Sequence, residues 1–362
     1  MSFNKKRILG WIALTSLLLL PSQSLAAGKT FYVPLSYENG TSPGIYQVDP
    51  NTKRTTLIIK DNTYKLAEVK QPVVKLNVNE DNRHYKLGRV TTSKEALENP
   101  YEDYTQFTDP MAIGEELLFQ KYLGESTHAG SCGGAISAFT LLYKKDTKGK
   151  EILLTNDTIA NATGDAVQVK DNTIYYTKVN KDFLENYTLH KMDANGNNKI
   201  ELAKSIDDYI LSDTKEIIYL KDNKFYKMDL NGKKTIHLKS IKDHIQGESP
   251  CGPANYKFTN SGIYFENADY QTSVYDFATG KMIEVKNSYF NFIENHSKNL
   301  QEFAVLDYDG ESHALIGASI VDKNGNVVKD LKVPTDAKKV KIDITSGTVS
   351  YFVKTAYFEN KY

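Results

Sequence analysis

One phrase recurs along the chain and constrains its fold more than any other feature. In this phrase a short aromatic or aliphatic strand ends at Asp and enters a turn, often Asn-Gly, before another strand begins. Asn-Gly supplies the positive φ angles that a tight two-residue hairpin needs. Each copy therefore predicts a pair of antiparallel strands. The clearest copies end at Asp193, Asp229 and Asp322, and looser copies cover residues 44–51, 139–146 and 273–280.

The spacing of the strands predicts a circular repeat architecture. Residues 208–238 contain four short strands, with turns at 213–214, 222–223 and 231–232. Similar strand cores recur at intervals of roughly 40 to 55 residues, which is the length of a propeller blade. The predicted fold is all-β, a single closed β-propeller of six or seven four-stranded blades. These cores begin near Leu117, Ile174, Ile217, Ile263, Phe303 and Val349.

The two ends of the chain are predicted to meet. We expect the last strands, residues 340–358, to join the first strands, residues 31–59, in one composite blade. Closing the ring in this way removes sheet edges that would otherwise be free to aggregate.

The best-formed repeats resemble a known class of propeller. The matching phrases are Asn172-Thr-Ile-Tyr-Tyr followed by Leu189-His-Lys-Met-Asp, and Lys215-Glu-Ile-Ile-Tyr followed by Phe225-Tyr-Lys-Met-Asp. They are similar to the extracytoplasmic propeller repeats of bacterial secreted proteins grouped as DUF5050, which are related to TolB-like and YWTD propellers. The resemblance covers residues 164–238, whereas residues 88–111 do not fit a blade easily. It implies a scaffold rather than a reaction, because these families share one fold and perform many functions.

The first residues predict export. Lys5, Lys6 and Arg7 precede an apolar run at residues 8–20, and small residues follow up to Ala27. This is the pattern of a cleaved secretory signal peptide. We therefore expect a signal peptide at residues 1–27 and a propeller domain at residues 28–362. The expected location is secreted or extracytoplasmic, in a bacterium, as the Lys-rich composition suggests.

Charge and composition narrow the function classes. The chain has 45 basic and 45 acidic residues, or 42 and 45 without the leader, and no basic block of the kind that nucleic-acid binding needs. No second apolar run is long enough to span a membrane. The only Trp, Trp11, lies in the leader, so aromatic recognition would use Tyr, Phe or His. No cofactor is predicted.

The alternation of strands predicts which loops share a face. In a four-stranded antiparallel blade, the connection from the second to the third strand emerges beside the connection between blades. Loops at 124–134, 180–186 and 267–272 should then lie beside loops at 94–110, 155–164 and 240–254. Long loops on a rigid scaffold are the usual place for binding. The binding residues predicted there are Tyr101, Glu102, Asp103, Tyr104, Phe107, His128, Phe183, His244 and Tyr270.

Two of these loops contain the only cysteines, Cys132 and Cys251. In an exported protein a disulfide between them is the economical interpretation. A zinc site completed by His128 and His244 is an alternative, although the spacings match no common zinc motif. A nucleophilic Cys132 is a third possibility, but the sequence marks no partner base.

Two acidic features have alternative interpretations. The segment at residues 95–109 interleaves carboxylates with aromatic residues, so it is either a solvated insertion or a patch for a cation, a sugar or a basic peptide. The Asp-x-Asn-Gly-Asn segments at Asp193 and Asp322 look like calcium loops. Their Gly is fourth rather than sixth, and strands flank them, so hairpin turns are expected.

Two classes of function fit these observations. The first is a secreted, non-enzymatic binding module for a protein, a peptide or a cell-wall glycan, because no nucleophile elbow, zinc-protease motif or phosphate-binding loop is present. The second is a hydrolase or lyase that acts on a cell-wall or extracellular polymer. Its catalytic groups would come from different blades and would leave no local motif.

Overall fold

The computed structural model describes residues 30–35, 44–60, 86–87, 107–130, 133–157, 159, 166–180, 183–238, 241, 256–266, 271–286, 293–309 and 314–362. Across these ranges the chain forms seven antiparallel sheets and no α-helix. Accordingly, nothing in this part of the chain is a helix long and apolar enough to cross a membrane. The seven sheets are the blades of a β-propeller, so the predicted fold class is confirmed with seven blades.

The first three blades contain twelve strands. Blade 1 consists of β1 Phe31–Leu35, β2 Gly44–Asp49 and β3 Arg54–Lys60. Blade 2 consists of β4 Lys86–Leu87, β5 Phe107–Ile113, β6 Glu116–Gly130, β7 Gly133–Lys145 and β8 Glu151–Leu153. Blade 3 consists of β9 Val167–Lys170, β10 Thr173–Asn180, β11 Phe183–Asp193 and β12 Ile200–Ile206.

The remaining four blades follow the same order. Blade 4 consists of β13 Asp208–Leu211, β14 Glu216–Lys221, β15 Lys224–Asp229 and β16 Ile236–His237. Blade 5 consists of β17 Tyr256–Phe258, β18 Gly262–Glu266, β19 Thr272–Asp276 and β20 Met282–Val285. Blade 6 consists of β21 Ile293–His296, β22 Glu302–Tyr308, β23 Leu315–Asp322 and β24 Val327–Leu331. Blade 7 consists of β25 Lys338–Asp343, β26 Thr348–Val353 and β27 Ala356–Lys361.

The second strand of a blade is buried on both of its faces. In β14 the residues from Ile217 to Leu220 are all buried, because the neighbouring blades cover both sides of the sheet. A strand with two covered faces reads as a continuous apolar run rather than an alternating one. The six strand cores located from the sequence are the second strands of blades 2 to 7, when blade 2 is counted from β5.

One apolar cluster joins each blade to the next. Ile45 and Ile59 of blade 1 pack with Leu117 and Phe119 of blade 2. Comparable clusters join blades 2 to 3, 3 to 4, 4 to 5, 5 to 6 and 6 to 7. The seventh cluster joins blade 7 back to blade 1, so the ring is closed. It contains Val33, Leu35, Tyr46, Val48, Phe352 and Tyr357.

The predicted composite blade is wrong. Within the described residues, β1–β3 and β25–β27 form two separate three-stranded sheets. They meet face to face, with the rings of Phe31 and Tyr357 5.4 Å apart in an edge contact. The Thr55 hydroxyl also donates a hydrogen bond of 2.5 Å to the Thr355 carbonyl. Each end of the chain supplies enough strands for its own sheet, so closure occurs by packing and does not need a shared sheet.

The Asn-Gly turns also differ from their predicted form. At Asp193 the Gly196 N–H bonds to the Asp193 carbonyl, and the Asp193 N–H bonds to the Asn197 carbonyl. Gly196 has a φ of +79°, whereas Asn195 is not among the residues with positive φ. This is a type I turn followed by a left-handed glycine, which makes a three-residue loop. True two-residue turns with two positive φ angles occur at 171–172 and 222–223, where the sequence is Asp-Asn.

Closure by packing predicts that one side chain at the seam controls the stability of the whole ring. Tyr357 is 3% exposed at the junction of blades 7 and 1, and its neighbour Phe358 is 37% exposed. Tyr357→Ala should lower the free energy of unfolding by about 3 kcal/mol, because it leaves a cavity between two sheets. Phe358→Ala is the matched control and should cost about 1 kcal/mol or less.

Urea denaturation followed by circular dichroism measures both variants. A single transition that shifts to lower urea is the expected result for Tyr357→Ala. Equal losses in the two variants would contradict closure at this seam.

Candidate functional site

The two ends of the blades differ in what they carry. The connections from the first to the second strand and from the third to the fourth strand lie at one end, here called the turn face. The connections from the second to the third strand and between blades lie at the other end, here called the crossover face. This arrangement follows from the antiparallel order of the strands in the four-stranded blades.

Most of the predicted binding residues lie outside the described residues. These are Tyr101, Glu102, Asp103, Tyr104, His244 and Tyr270, together with both members of the predicted disulfide, Cys132 and Cys251. Phe107, His128 and Phe183 lie within strands of known backbone position, in β5, β6 and β11. By strand order, all three belong to the half of their blades nearer the crossover face.

Two of the predicted loops on the crossover face are largely strand. The loop predicted at 124–134 is the distal half of one hairpin, because β6 and β7 pair from Leu117 and Lys145 to Gly130 and Gly133, with one bulge between Tyr122 and Gly124. The loop predicted at 180–186 is mostly β11, and Asn180 pairs with Phe183 after a bulge. Gly and Ser at 124–134, and Asn and Asp at 180–186, are common in loops, but a hairpin that pairs its own backbone also tolerates them.

The long hairpin of blade 2 extends well beyond its neighbours. The first strand β5 pairs with β6 only as far as Lys121, and β8 pairs with β7 only at 143–145. Residues 122–130 and 133–139 form the part beyond these pairings, which we call the arm. At about 3.3 Å per residue the arm extends for roughly 25 Å. It is the most prominent described feature of the crossover face.

A carboxyl group with a perturbed pKa lies on the same face. Asp207 is in the connection between blades 3 and 4, and Asp222 is in the turn between β14 and β15. Burial, followed by the charges of Asp222 and Asp208, raises the pKa of Asp207 to about 6. Asp208 is 2% exposed and accepts a 3.0 Å hydrogen bond from the Tyr256 hydroxyl of blade 5. Asp208 is therefore a structural link, and Asp207 is the group that can exchange a proton near neutral pH.

Sequence reasoning missed Asp207. The sequence pattern predicts a strand that begins at Asp208 and indicates no role for the residue before it. An Asp-Asp pair at the connection between two blades was the only available signal. The perturbation depends on burial and on a carboxylate from a separate turn, and neither is visible in the local sequence.

Several described connections on the turn face are short turns organised by an Asp side chain. The carboxylate oxygen Oδ1 of Asp193 accepts hydrogen bonds of 2.9 Å from the N–H groups of Asn195 and Asn197. These backbone donors hold the pKa of the Asp193 carboxyl below its usual range. The turns that begin at Asp229 and Asp322 have the same arrangement. Strands flank the Asp193 and Asp322 turns, as expected for hairpin turns.

These turns also hold adjacent blades together. A Cβ atom at Gly196 would lie 2.6 Å from the carbonyl oxygen of Leu154 in blade 2, so only glycine fits there. Lys144 of blade 2 is 3% exposed and donates a 2.9 Å hydrogen bond to the Asn195 side chain. Its ammonium group also lies 2.7 Å from the Glu116 carboxylate. The Asn-Gly pair therefore serves blade docking as well as chain reversal.

The same contact recurs at the next junction. Lys191 of blade 3 donates hydrogen bonds to the Asn231 side chain, at 2.6 Å, and to the Leu230 carbonyl, at 3.1 Å. The polar groups of these turns are thus committed to neighbouring blades, which leaves fewer of them for a ligand.

A second polar cluster lies between blades 2 and 3. The Asp157 carboxylate accepts a 2.9 Å hydrogen bond from the Tyr176 hydroxyl and lies 2.7 Å from the Lys178 ammonium group. Burial alone would raise the pKa of Asp157, but the hydrogen bonds from Lys178 and Tyr176 outweigh it and lower the pKa. Burial raises the pKa of Tyr176 far above its ordinary value. A phenol of that kind is not a base near neutral pH, so this cluster is an interblade contact.

A buried Tyr-His-Asp chain joins blades 5 and 6. The His296 Nε2 atom lies 3.2 Å from Asp276 Oδ1, and His296 Nδ1 bonds to the Tyr264 hydroxyl. The Thr279 N–H donates a 2.7 Å hydrogen bond to Asp276 Oδ2. The three ionisable side chains are all at least 92% buried. The chain resembles a catalytic relay in composition, but its burial makes it a structural network.

Burial lowers the pKa of His296, although the hydrogen bond to Asp276 partly offsets this effect. The neutral ring carries one proton on Nε2 and donates it to the carboxylate. The lone pair on Nδ1 accepts a hydrogen bond from the phenol, so both ring nitrogens are satisfied. A histidine that is neutral when folded and protonated when unfolded stabilises the fold above its ordinary pKa. That stabilisation is lost as pH falls.

The contribution of His296 to the stability of the folded protein should therefore fall as pH drops below about 6.5. His296→Phe should be less stable than the natural chain at pH 8 and should lose less of its remaining stability between pH 7 and pH 5. Urea unfolding at pH 5, 6, 7 and 8 measures this difference. An unchanged pH slope in His296→Phe would show that His296 does not contribute to it.

Within the described ranges, no three His, Cys, Asp or Glu side chains are grouped to hold a metal ion. No protein-family model matches the chain, and no curated protein matches it by sequence. Similarity to solved structures is limited to the fold.

Three solved structures illustrate this similarity. The propeller domain of the trilobed protease from Pyrococcus furiosus, described as having an open velcro topology, is 11% identical, with 68% of this chain and 77% of that chain covered and a TM-score of 0.39. The WD40 propeller domain of Doa1 is 9% identical, with coverages of 68% and 89% and a TM-score of 0.33. Puromycin hydrolase is 12% identical, with coverages of 71% and 51% and a TM-score of 0.41. Similarities this low carry no argument about function.

Proposed function

We propose that this protein is a secreted, non-enzymatic binding module whose crossover face contacts a protein, a peptide or a cell-wall glycan. The observation that carries the proposal is the contrast between the two faces. Among the described residues, the turn face consists mainly of short turns, and polar groups of the Asp193 and Asp229 turns contact neighbouring blades. The crossover face bears the arm and the blade-to-blade connections. A rigid ring with one elaborated end has the form of a binding scaffold.

Export supports the same proposal. A chain with the leader pattern at residues 1–27 meets its ligand outside the cytoplasm. We also propose that the chain belongs with the bacterial extracytoplasmic propellers of the DUF5050, TolB-like and YWTD type, on the basis of the phrases at 172–196 and 215–232. We also propose the predicted disulfide between Cys132 and Cys251, which lie outside the described residues.

The face assignment predicts where a ligand can be captured. A photo-crosslinking amino acid at position 104 or 183 should trap extracellular protein or glycan from the producing cells. The same amino acid at Lys233 or Lys323, both exposed on the turn face, should trap much less. Mass spectrometry identifies the crosslinked species.

Alanine variants then test the contact with the captured species. Tyr104→Ala and Phe183→Ala should weaken its binding by about tenfold each, since aromatic side chains dominate interface energies. Lys233→Ala and Lys323→Ala should leave binding within about twofold. The reverse pattern would assign binding to the turn face.

One observation favours a second candidate, a hydrolase or lyase of a cell-wall or extracellular polymer. Asp207 lies on the crossover face with its pKa raised to about 6. A carboxyl group that is still partly protonated near neutral pH is suited to act as a general acid.

This candidate predicts polymer cleavage that depends on Asp207. Purified peptidoglycan and extracellular polysaccharide, incubated with the protein, should release new reducing ends or unsaturated sugars. Asp207→Asn should reduce that release by at least about 100-fold. Asp336→Asn, at an exposed carboxylate, is the control and should have no effect. No release by the natural chain from either polymer would eliminate this candidate and leave the binding module.

A further inference from the structure

Within the described residues, one strand edge of the arm has no paired strand. Next to the arm, Ile159 pairs with β7 at Thr140. Beyond that point, from Gly133 to Phe139, no described strand pairs with the outer edge of β7. On the opposite edge of the arm, β4 pairs with Ser126 and Thr127 of β6.

The composition of this edge differs from that of the other outer edges. Exposed strand edges are usually protected by charged residues, by proline or by short length. The outer strands β3, β8, β12, β20, β24 and β27 each contain at least one charged residue, and β16 is only two residues long. The edge of β7 reads Gly-Gly-Ala-Ile-Ser-Ala-Phe, which is seven residues without charge or proline. Its sequence lacks the charged residues and the proline that would prevent another strand from pairing with it.

The backbone direction at this edge can be derived from its neighbour. The Thr140 N–H donates to the Ile159 carbonyl, and the Thr140 carbonyl accepts from the Ile159 N–H. The Leu142 carbonyl likewise accepts from the Leu154 N–H. Even-numbered residues of β7 therefore present their backbone groups outward. By the alternation of a strand, Gly134, Ile136 and Ala138 offer three donors and three acceptors to an added strand.

We propose that the outer edge of β7, residues 133–139, binds an extended segment of a partner polypeptide as an added β-strand. This inference rests on the proposed binding function and specifies its mode. Main-chain hydrogen bonds supply affinity in such complexes, and alternate side chains supply specificity. The small residues Gly133, Gly134 and Ala135 permit close approach of another backbone.

The chemistry of the edge defines the partner. A segment of about seven residues fits, with little charge and with the β-branched residues that favour strands. The arm already accepts a short extended segment, β4, from a distant part of the chain on its other edge. A second polypeptide segment on the outer edge would extend that three-stranded arrangement by one strand.

The test uses the full chain and a displayed library of linear seven-residue peptides. Selection should enrich uncharged peptides rich in Val, Ile and Thr. Ala138→Pro removes one outward N–H and leaves the hydrogen bonds to β6 in place, because proline is tolerated where the N–H faces outward at an edge. It should weaken a selected peptide by about tenfold or more, consistent with the loss of a hydrogen bond and poorer strand packing.

Val328→Pro is the matched control, in the exposed outer strand β24, and should leave peptide binding unchanged. A second measurement does not alter the protein. Two sets of peptides carry methyl groups on backbone nitrogens, one set at odd and the other at even positions. One set should lose binding and the other should keep it, because only alternate N–H groups of the peptide face β7. Loss of binding in both sets of methylated peptides, or in neither set, would overturn the inference.

Other outcomes are also decisive. Peptides that bind Ala138→Pro as tightly as the natural chain would overturn strand addition at this edge, but would leave the proposed binding function standing. A dimer in light scattering that Ala138→Pro converts to a monomer would assign the edge to a second copy. Peptide binding that appears only after deletion of residues 88–106 would assign it to the chain's own insertion. Crosslinks confined to the turn face would instead contradict the proposed function itself.

Discussion

The structure depends on apolar packing between the faces of consecutive blades. Neighbouring blades are separate sheets in most of the described ring, so side chains at the seven junctions hold the ring together. This packing requires second strands that are apolar on both faces, and it places polar residues at the two ends of the blades. The junctions therefore determine where a functional site can be, namely at an end of the ring.

Buried polar contacts add specificity to these apolar junctions. Gln168 of blade 3 accepts a 2.8 Å hydrogen bond from the Leu211 N–H and donates one of 3.3 Å to the Tyr209 carbonyl of blade 4. The side-chain amide therefore makes the pair of hydrogen bonds that a backbone residue would make in a sheet. These bonds link the first strand of blade 3 to the first strand of blade 4. Such contacts are satisfied in only one register. They complement the hydrophobic clusters, which specify proximity but not alignment.

Much of the fold could be predicted from the sequence because its signals are local. The predicted strands and turns of blade 4 agree with the structure to within two residues, since Asp-Asn and Asn-Gly mark chain reversal directly. The exact turn type could not be predicted, because the Asp193 side chain organises the loop in a way that Asn-Gly alone does not specify. The composite blade was wrong because three strands can form either part of one sheet or a sheet of their own, and only long-range packing distinguishes these outcomes. The site was less predictable for the same reason: the arm resembles a loop in composition, and the pKa of Asp207 depends on a separate turn.

Seam packing has a consequence for how the chain folds. Nearly every described strand pairs with a strand adjacent to it in sequence, so each blade can assemble from its own residues. The contact between Thr55 and Thr355 joins positions 300 residues apart. The entropic cost of closing a loop rises only slowly with loop length, so this long-range contact can form once the blades exist. A growing chain that emerges from its amino terminus can therefore complete blade after blade in order, with ring closure delayed until the final strands have arrived.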